Sequence, residues 1–170
     1  MFAGKTTELL KRILWARNGE SKAVLVLKTA FDNRYSESKI TSHDGLSVDS
    51  MSISSFSEVE NLVPDAEMVC LDEIQFFSNM EISVIDFIAS LLKAGKEVVV
   101  TGLDANWKGE AFELTATLMA MADEVVKLKA ICSVCGQPAH KTFKKYKDDK
   151  EIELGHSDIY EPRCNKHWSA

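Results

Sequence analysis

Three groups of residues in this chain have the types and spacing to do chemistry. The first is Met1-Phe2-Ala3-Gly4-Lys5-Thr6-Thr7. Gly4-Lys5-Thr6 spells the closing half of the phosphate-binding loop G-x-x-x-x-G-K-[ST]. In such a loop Gly4 lets backbone N–H groups close around phosphate oxygens, Lys5 reaches the β- and γ-phosphates, and the Thr6 hydroxyl is placed to ligate Mg²⁺. The second group is Asp72-Glu73, which ends the apolar run Met68-Val69-Cys70-Leu71. A buried strand delivering an acid beside a phosphate loop lets Asp72 hold Mg²⁺ directly or through water. The third group is Cys132-x-x-Cys135 with Cys164-x-x-His167. Two such knuckles supply four ligands for tetrahedral zinc in a closed, structural site. Each group has a plainer alternative. Gly-Lys-Thr also suits an ordinary helix start, Asp72 could follow any buried strand, a single Cys-x-x-Cys could be redox-active, and His167 could be a surface histidine.

The elements that must position these groups follow from periodicity. A helix has to begin at the loop so that its N-terminal N–H groups face the anion. Residues 7–17 predict one, with Leu10, Ile13 and Leu14 on one face and Gly19 beyond its end. The run 23–27 predicts a strand buried on both faces, as in a parallel sheet. Residues 29–46 are polar and aperiodic, long enough to be a functional loop or disordered. Residues 48–53 suit a short strand. Ser57 with Glu60 suggests a capping box opening a short helix that stops at Pro64. Residues 81–94 predict a helix through Ile85, Ile88, Ala89 and Leu92, closed by Gly95. Residues 97–101 predict a third buried strand, 113–122 a helix, and 124–128 a returning strand. This alternation predicts a P-loop NTPase-like α/β fold: a mainly parallel sheet flanked by helices, with a small C-terminal zinc-binding β segment. The expected division is 1–129 for nucleotide binding and 130–170 for the knuckles. The motif's first Gly and preceding strand are not in the sequence: either the sequence is a fragment, or, if the chain starts at Met1, the cradle is incomplete and weak or absent activity is expected.

Composition narrows the function. With 170 residues and 45% apolar content the chain can bury a sizeable core. A net charge of −6 argues against a broad nucleic-acid surface. The dense basic run, residues 141–147, is followed at once by acids and reads as a solvated hairpin. The absence of a membrane-length apolar run or a signal peptide suggests a cytoplasmic protein without a membrane partner. In that reducing compartment the four cysteines read as metal binding, with Cys70 alone in a strand.

Taken together, these pieces resemble the type II thymidine kinase family. Met1 to Leu9, Asp72-Glu73-Ile74-Gln75-Phe76-Phe77, Gly102-Leu103-Asp104, Phe112, the Cys-x-x-Cys and Tyr160-Glu161-Pro162-Arg163-Cys164 fall in the family's order at similar spacing. The resemblance implies ATP and Mg²⁺ as the phosphoryl-donor pair and a structural Zn²⁺. It implies thymidine or deoxyuridine as acceptor, no nucleic-acid partner, and a homotetramer. By the same resemblance Met1, Phe2, Ala3, Gly4, Lys5, Thr6, Thr7, Asp72, Glu73, Ile74 and Gln75 form the ATP side. Glu73 takes the 5′-hydroxyl proton, and Gln75 is a phosphate-side contact. Asp44 lies on a loop reaching the nucleotides, Trp107 and Phe112 line the base pocket, and Tyr160 completes it. Glu151, Ile152, Glu153, Leu154 and Gly155 cover thymine. Trp107 stands where many members have Phe, and His167 where many have a fourth Cys. In an extended stretch Glu73 would point away from Asp72 and toward the acceptor. A P-loop ATPase that binds nucleic acid through its knuckle, and a remnant without turnover, are the competing readings.

Overall fold

The computed structural model describes residues 1–31, 38–42, 45–80, 83–146 and 158–169. In chain order it contains α1 (Lys5–Gly19), β1 (Val24–Thr29), β2 (Lys39–Thr41), β3 (Ser47–Asp49), β4 (Met51–Ile53), a 3-10 turn (Phe56–Val59), β5 (Met68–Leu71) and a second 3-10 turn (Ile74–Asn79). These are followed by α2 (Val84–Lys93), β6 (Glu97–Val100), α3 (Glu113–Met121), β7 (Ala130–Ile131), β8 (Pro138–Ala139), β9 (Lys141–Lys144) and β10 (Tyr160–Arg163). The chain divides into two compact units, 6–102 and 1–5 with 103–170.

The first unit is built on a four-stranded sheet of order β4-β1-β5-β6, with every pairing parallel. All four residues of β5 are buried, as a strand covered on both faces requires. Leu9, Leu10, Ile13 and Ala16 of α1 pack with Val26, Met68 and Cys70, and half-buried Val24 and Val99 join them. Fully buried Leu9, Leu10 and Ile13 each contribute roughly 1.5–3 kcal/mol. Phe56 stacks on Phe77 at 6.0 Å and on Phe87 of α2 at 4.0 Å. Helix α2 opens on Ser83, whose hydroxyl accepts from the Asp86 N–H at 3.4 Å. It closes at Gly95, whose φ of +73° would strain any other residue.

Several sequence expectations are corrected here. Helix α1 buries Leu9 and Ala16 along with Leu10 and Ile13, and Leu14 is exposed. The segment is apolar on more than one side, so several stripes were available to it. Helix α2 buries Val84, Ile88 and Leu91, while Leu92 is exposed. The capping box is Ser55 with Glu58, not Ser57 with Glu60: the Glu58 carboxylate accepts from the Ser55 N–H at 2.9 Å, and Ser55 Oγ accepts from Ser57 N–H. Residues 48–53 form two strands, β3 pairing with β2 and β4 with β1. Strand β6 is half-buried rather than buried. Residues 124–128 form no strand, and Val125 and Val126 are exposed. A strand exists only through its ladder, and β propensity without a partner does not make one.

The second unit carries two antiparallel ladders, β7 with β8 and β9 with β10. Its small core joins Ala130, Cys132 and Ala139 to Phe2, Ala3 and Cys164. Strand β9 lies in the basic run, yet alternation turns Thr142 and Lys144 inward. The expectation of a wholly solvated hairpin therefore fails at Lys144. Among the described residues no helix is long and apolar enough to cross a membrane.

Candidate active site and metal centre

The acidic turn follows directly from β5. The Asp72 N–H still donates to Leu27 O at 3.0 Å, continuing the parallel ladder and leaving Asp72 buried at the strand's carboxyl end. Glu73 then enters the left-handed region, at φ 52° and ψ 53°. The extended geometry expected for Glu73 is thus replaced by a sharp turn. A non-glycine residue held there costs on the order of 1–3 kcal/mol, a cost that clusters at functional sites. The turn is tied from within. The Glu73 N–H donates to Asp72 Oδ1 at 3.0 Å, and Gln75 Nε2 donates to Glu73 Oε2 at 2.7 Å. Gln75 is itself 3% exposed, between fully buried Ile74 and Phe77, and Phe76 packs on Phe31 at 5.5 Å. One carboxylate is buried and hydrogen-bonded; the other is half-exposed and oriented by an amide. That division suits a metal-side acid and a proton acceptor.

The phosphate-loop residues precede α1. Phe2 and Gly4 both have positive φ, 58° and 75°. Left-handed residues interleaved in a short loop turn successive N–H groups toward one side, the arrangement that cradles anions. Helix α1 starts at Lys5, so its first-turn N–H groups open on the same loop. This local geometry fits a bound phosphate chain.

The four knuckle residues converge. Their ligand atoms all lie within 4.8 Å of one another. Cys135 Sγ is 3.8 Å from Cys164 Sγ, Cys132 Sγ is 3.9 Å from His167 Nδ1, and Cys164 Sγ is 3.3 Å from His167 Nδ1. A tetrahedron with zinc–sulfur bonds of about 2.3 Å has edges of about 3.8 Å, so the set fits Zn²⁺ with no open position. Each knuckle is a tight turn: Gly136 N–H donates to Cys132 O at 2.9 Å, and His167 N–H to Cys164 O at 3.0 Å. Burial alone would push the Cys132 thiol up. Backbone N–H groups of Cys164, Val134 and Cys135 and the Cys135 thiol outweigh it and draw it down to about 6. A thiol so lowered is ready to bind metal at neutral pH.

Trp107 and Tyr160 are brought to one cation. Lys144 is 4% exposed, with Nζ 5.8 Å from the Trp107 ring and 6.0 Å from the Tyr160 ring. Lys144 and Tyr160 are register partners in the β9–β10 ladder, so their side chains share a face. Buried Asn106 shapes the turn that presents Trp107: its Oδ1 accepts from the Lys108 and Glu110 N–H groups at 2.9 and 3.0 Å. Phe112 precedes α3 and donates its N–H to Asp104 O at 3.1 Å. Sequence reading missed Asn106 and Lys144. An Asn three residues before Gly109 was the available signal for the first; nothing in the basic run marked the second. Asp44 and the segment Glu151, Ile152, Glu153, Leu154 and Gly155 lie outside the described residues.

The fold and these sites define a class: an α/β protein with a parallel sheet, a phosphate-loop signature and a cysteine–histidine cluster that could hold a metal ion. The comparison with known proteins narrows it. Residues 1–168 match the family model described as thymidine kinase. The thymidine kinase of Bdellovibrio bacteriovorus is 38% identical over 169 residues, covering 99% of this chain and 81% of that protein. The thymidine kinase of Coprothermobacter proteolyticus is 40% identical over 174 residues, covering 98% of this chain and 85% of that protein. The chain belongs to the thymidine kinase family.

Proposed function

We propose that this protein transfers the γ-phosphoryl group of ATP to the 5′-hydroxyl of thymidine, or of deoxyuridine. The observation that carries the reading is the family match over residues 1–168, and the geometry of the acidic turn supports it. The Glu73 carboxylate accepts the 5′-hydroxyl proton as the new O–P bond forms and the bond to the ADP oxygen breaks. Gln75, donating to Glu73 Oε2, fixes which oxygen of that carboxylate remains turned to the acceptor. In phosphoryl transfer the protein does little covalent work, and positioning and charge neutralisation dominate. Lys5 and the N–H groups of the Met1-to-Thr7 loop bind phosphate oxygens, and Ile74 beside the turn helps exclude water. Thr6 and Asp72 would hold Mg²⁺ as hard oxygen ligands, and the ion would supply charge neutralisation for the transferring phosphoryl group.

On the acceptor side Trp107, Phe112 and Tyr160 enclose the base. Asp44 approaches the nucleotides, and Glu151 to Gly155 close over thymine. Cys132, Cys135, Cys164 and His167 hold Zn²⁺, which anchors both ends of that segment and stays out of the chemistry. In this reading residues 1–129 serve ATP, residues 130–170 serve the base, and the working protein is a cytoplasmic homotetramer. The test is phosphate transfer from labelled ATP with thymidine, deoxyuridine and thymidylate supplied in turn. Thymidine should be phosphorylated and thymidylate should not; transfer to thymidylate alone would overturn the substrate assignment.

A further inference from the structure

The acidic turn is held from outside as well as from within, and by two residues that carry no chemistry of their own. Thr101 directly follows β6 and is bonded to the turn at three points. Its N–H donates to Leu71 O at 2.9 Å, and its C=O accepts from the Ile74 N–H at 2.9 Å. Its hydroxyl donates to Asp72 Oδ1, the same oxygen that accepts from the Glu73 N–H. Thr101 therefore brackets Asp72 and Glu73, gripping the residue before them, the residue after them and the first carboxylate. The next residue supplies space. A Cβ on Gly102 would lie 2.5 Å from Ile74 Cγ2 and 2.9 Å from Gln75 Oε1. Ile74 is fully buried and Gln75 nearly so, so neither can withdraw cheaply. Any larger residue at 102 would push the Gln75 amide, whose other end donates to Glu73.

We propose that Thr101 and Gly102 are positioning residues for phosphoryl transfer: the Thr101 hydroxyl locks the Asp72 carboxylate and the left-handed Glu73 backbone, and the bare Gly102 surface lets Gln75 reach Glu73. Ladder pairing alone would have been met by any residue at 101. Valine, which has the same shape and a higher strand preference, would keep both backbone bonds and lose only the hydroxyl. The hydroxyl is thus the separable part of the device, and its partner among the described residues is a carboxylate of the site.

The inference rests on the assignment of Glu73 and Asp72 to the reaction, and its test separates the two. Thr101→Val, Thr101→Ser and Gly102→Ala are compared with the unaltered chain in two measurements: steady-state phosphorylation of thymidine, and amide hydrogen exchange by NMR without nucleotide or Mg²⁺. Losing a hydrogen bond to a charged group predicts a fall in kcat of about tenfold or more in Thr101→Val, with KM for thymidine within about twofold. Thr101→Ser should restore the rate. Exchange of the Glu73 and Ile74 amides should quicken in Thr101→Val while the Val69 amide within β5 keeps its protection. Gly102→Ala, which crowds Ile74 and the Gln75 amide, should lower kcat and also leave the Val69 amide unchanged. Unaltered kcat and exchange in Thr101→Val would overturn the proposal, as would failure of serine to rescue. If the unaltered chain phosphorylates no nucleoside, the functional reading fails, and the exchange arm decides the positioning role by itself.

Discussion

Replacing Cys164 by Ser removes one ligand of the metal set and one wall of the small core it belongs to. That core joins Ala130, Cys132 and Ala139 to Phe2, Ala3 and Cys164. Its three buried side chains are little larger than a methyl group, so at about 0.8 kcal/mol per buried carbon they supply only about 2–3 kcal/mol. A structural zinc in a four-ligand knuckle supplies an apparent 10–16 kcal/mol, to order of magnitude. The metal outweighs the apolar cluster several-fold, so the region should open locally when it is lost. Elemental analysis should find one zinc per chain in the unaltered protein, held by the converging Cys132, Cys135, Cys164 and His167, and close to none in Cys164→Ser. Hydrogen exchange followed by mass spectrometry should accelerate about a hundredfold or more over residues 130–146 and 158–169. The β1 and β5 amides, held by their own core against α1, should keep their protection. Acid should weaken the same region. Thiolate ligands must be deprotonated to hold zinc, and although the Cys132 thiol is lowered to about 6 the neighbouring Cys135 thiol is raised, so zinc and its hold on the region should be lost as pH falls. Unchanged exchange in residues 130–146 after complete zinc removal would refute the reasoning.

Lys5→Ala should abolish phosphoryl transfer with the circular dichroism spectrum intact, and turnover equal to the unaltered chain would remove Lys5 from the phosphate site. Ile13→Ala deletes a fully buried side chain from the α1 face and should cost about 2–5 kcal/mol in urea unfolding; a loss below about 1 kcal/mol would mean that face is loosely packed. Burial, with the Glu97 and Asp72 charges adding to it, pushes the Cys70 thiol up to about 12 from 9.0. Cys70 should therefore resist alkylation at pH 8 in the folded protein. Its ordinary thiol in the unfolded chain ionises first, so stability should be full below about pH 9 and decline between about 9 and 12. Rapid native-state alkylation of Cys70 would contradict its burial.

The parts of this protein legible in the sequence were those whose chemistry requires a local spelling. Gly4-Lys5-Thr6 before a helix, four apolar residues ending in Asp72, and two knuckles at zinc spacing each carry their structure in their order. The parts that were not legible depend on partners distant in sequence. Leu14 and Leu92 are as apolar as Leu10 and Leu91, and only packing against the sheet decides which stripe is buried. Three serines near residue 55 could each have capped the turn, and the reach of Glu58 selects one. Thr101 carries no motif, because its meaning comes from a carboxylate twenty-nine positions away. Lys144 is one lysine among several in a basic run until strand alternation turns it under Trp107 and Tyr160. The left-handed backbone of Glu73 was hidden for a related reason: a carboxylate after a strand reads as extended until Thr101, Asp72 and Gln75 close around it.

The central claim is that Glu73, held in that turn, accepts the proton of a thymidine 5′-hydroxyl. Single-turnover transfer from ATP to thymidine by Glu73→Gln, beside the unaltered chain, measures it most directly. Glutamine keeps the shape and the hydrogen-bonding reach toward Gln75 but cannot take the proton. The rate should fall by about 10²–10⁴-fold, with thymidine binding by calorimetry little changed. A variant that keeps its rate, or a protein that prefers thymidylate as acceptor, would contradict the account.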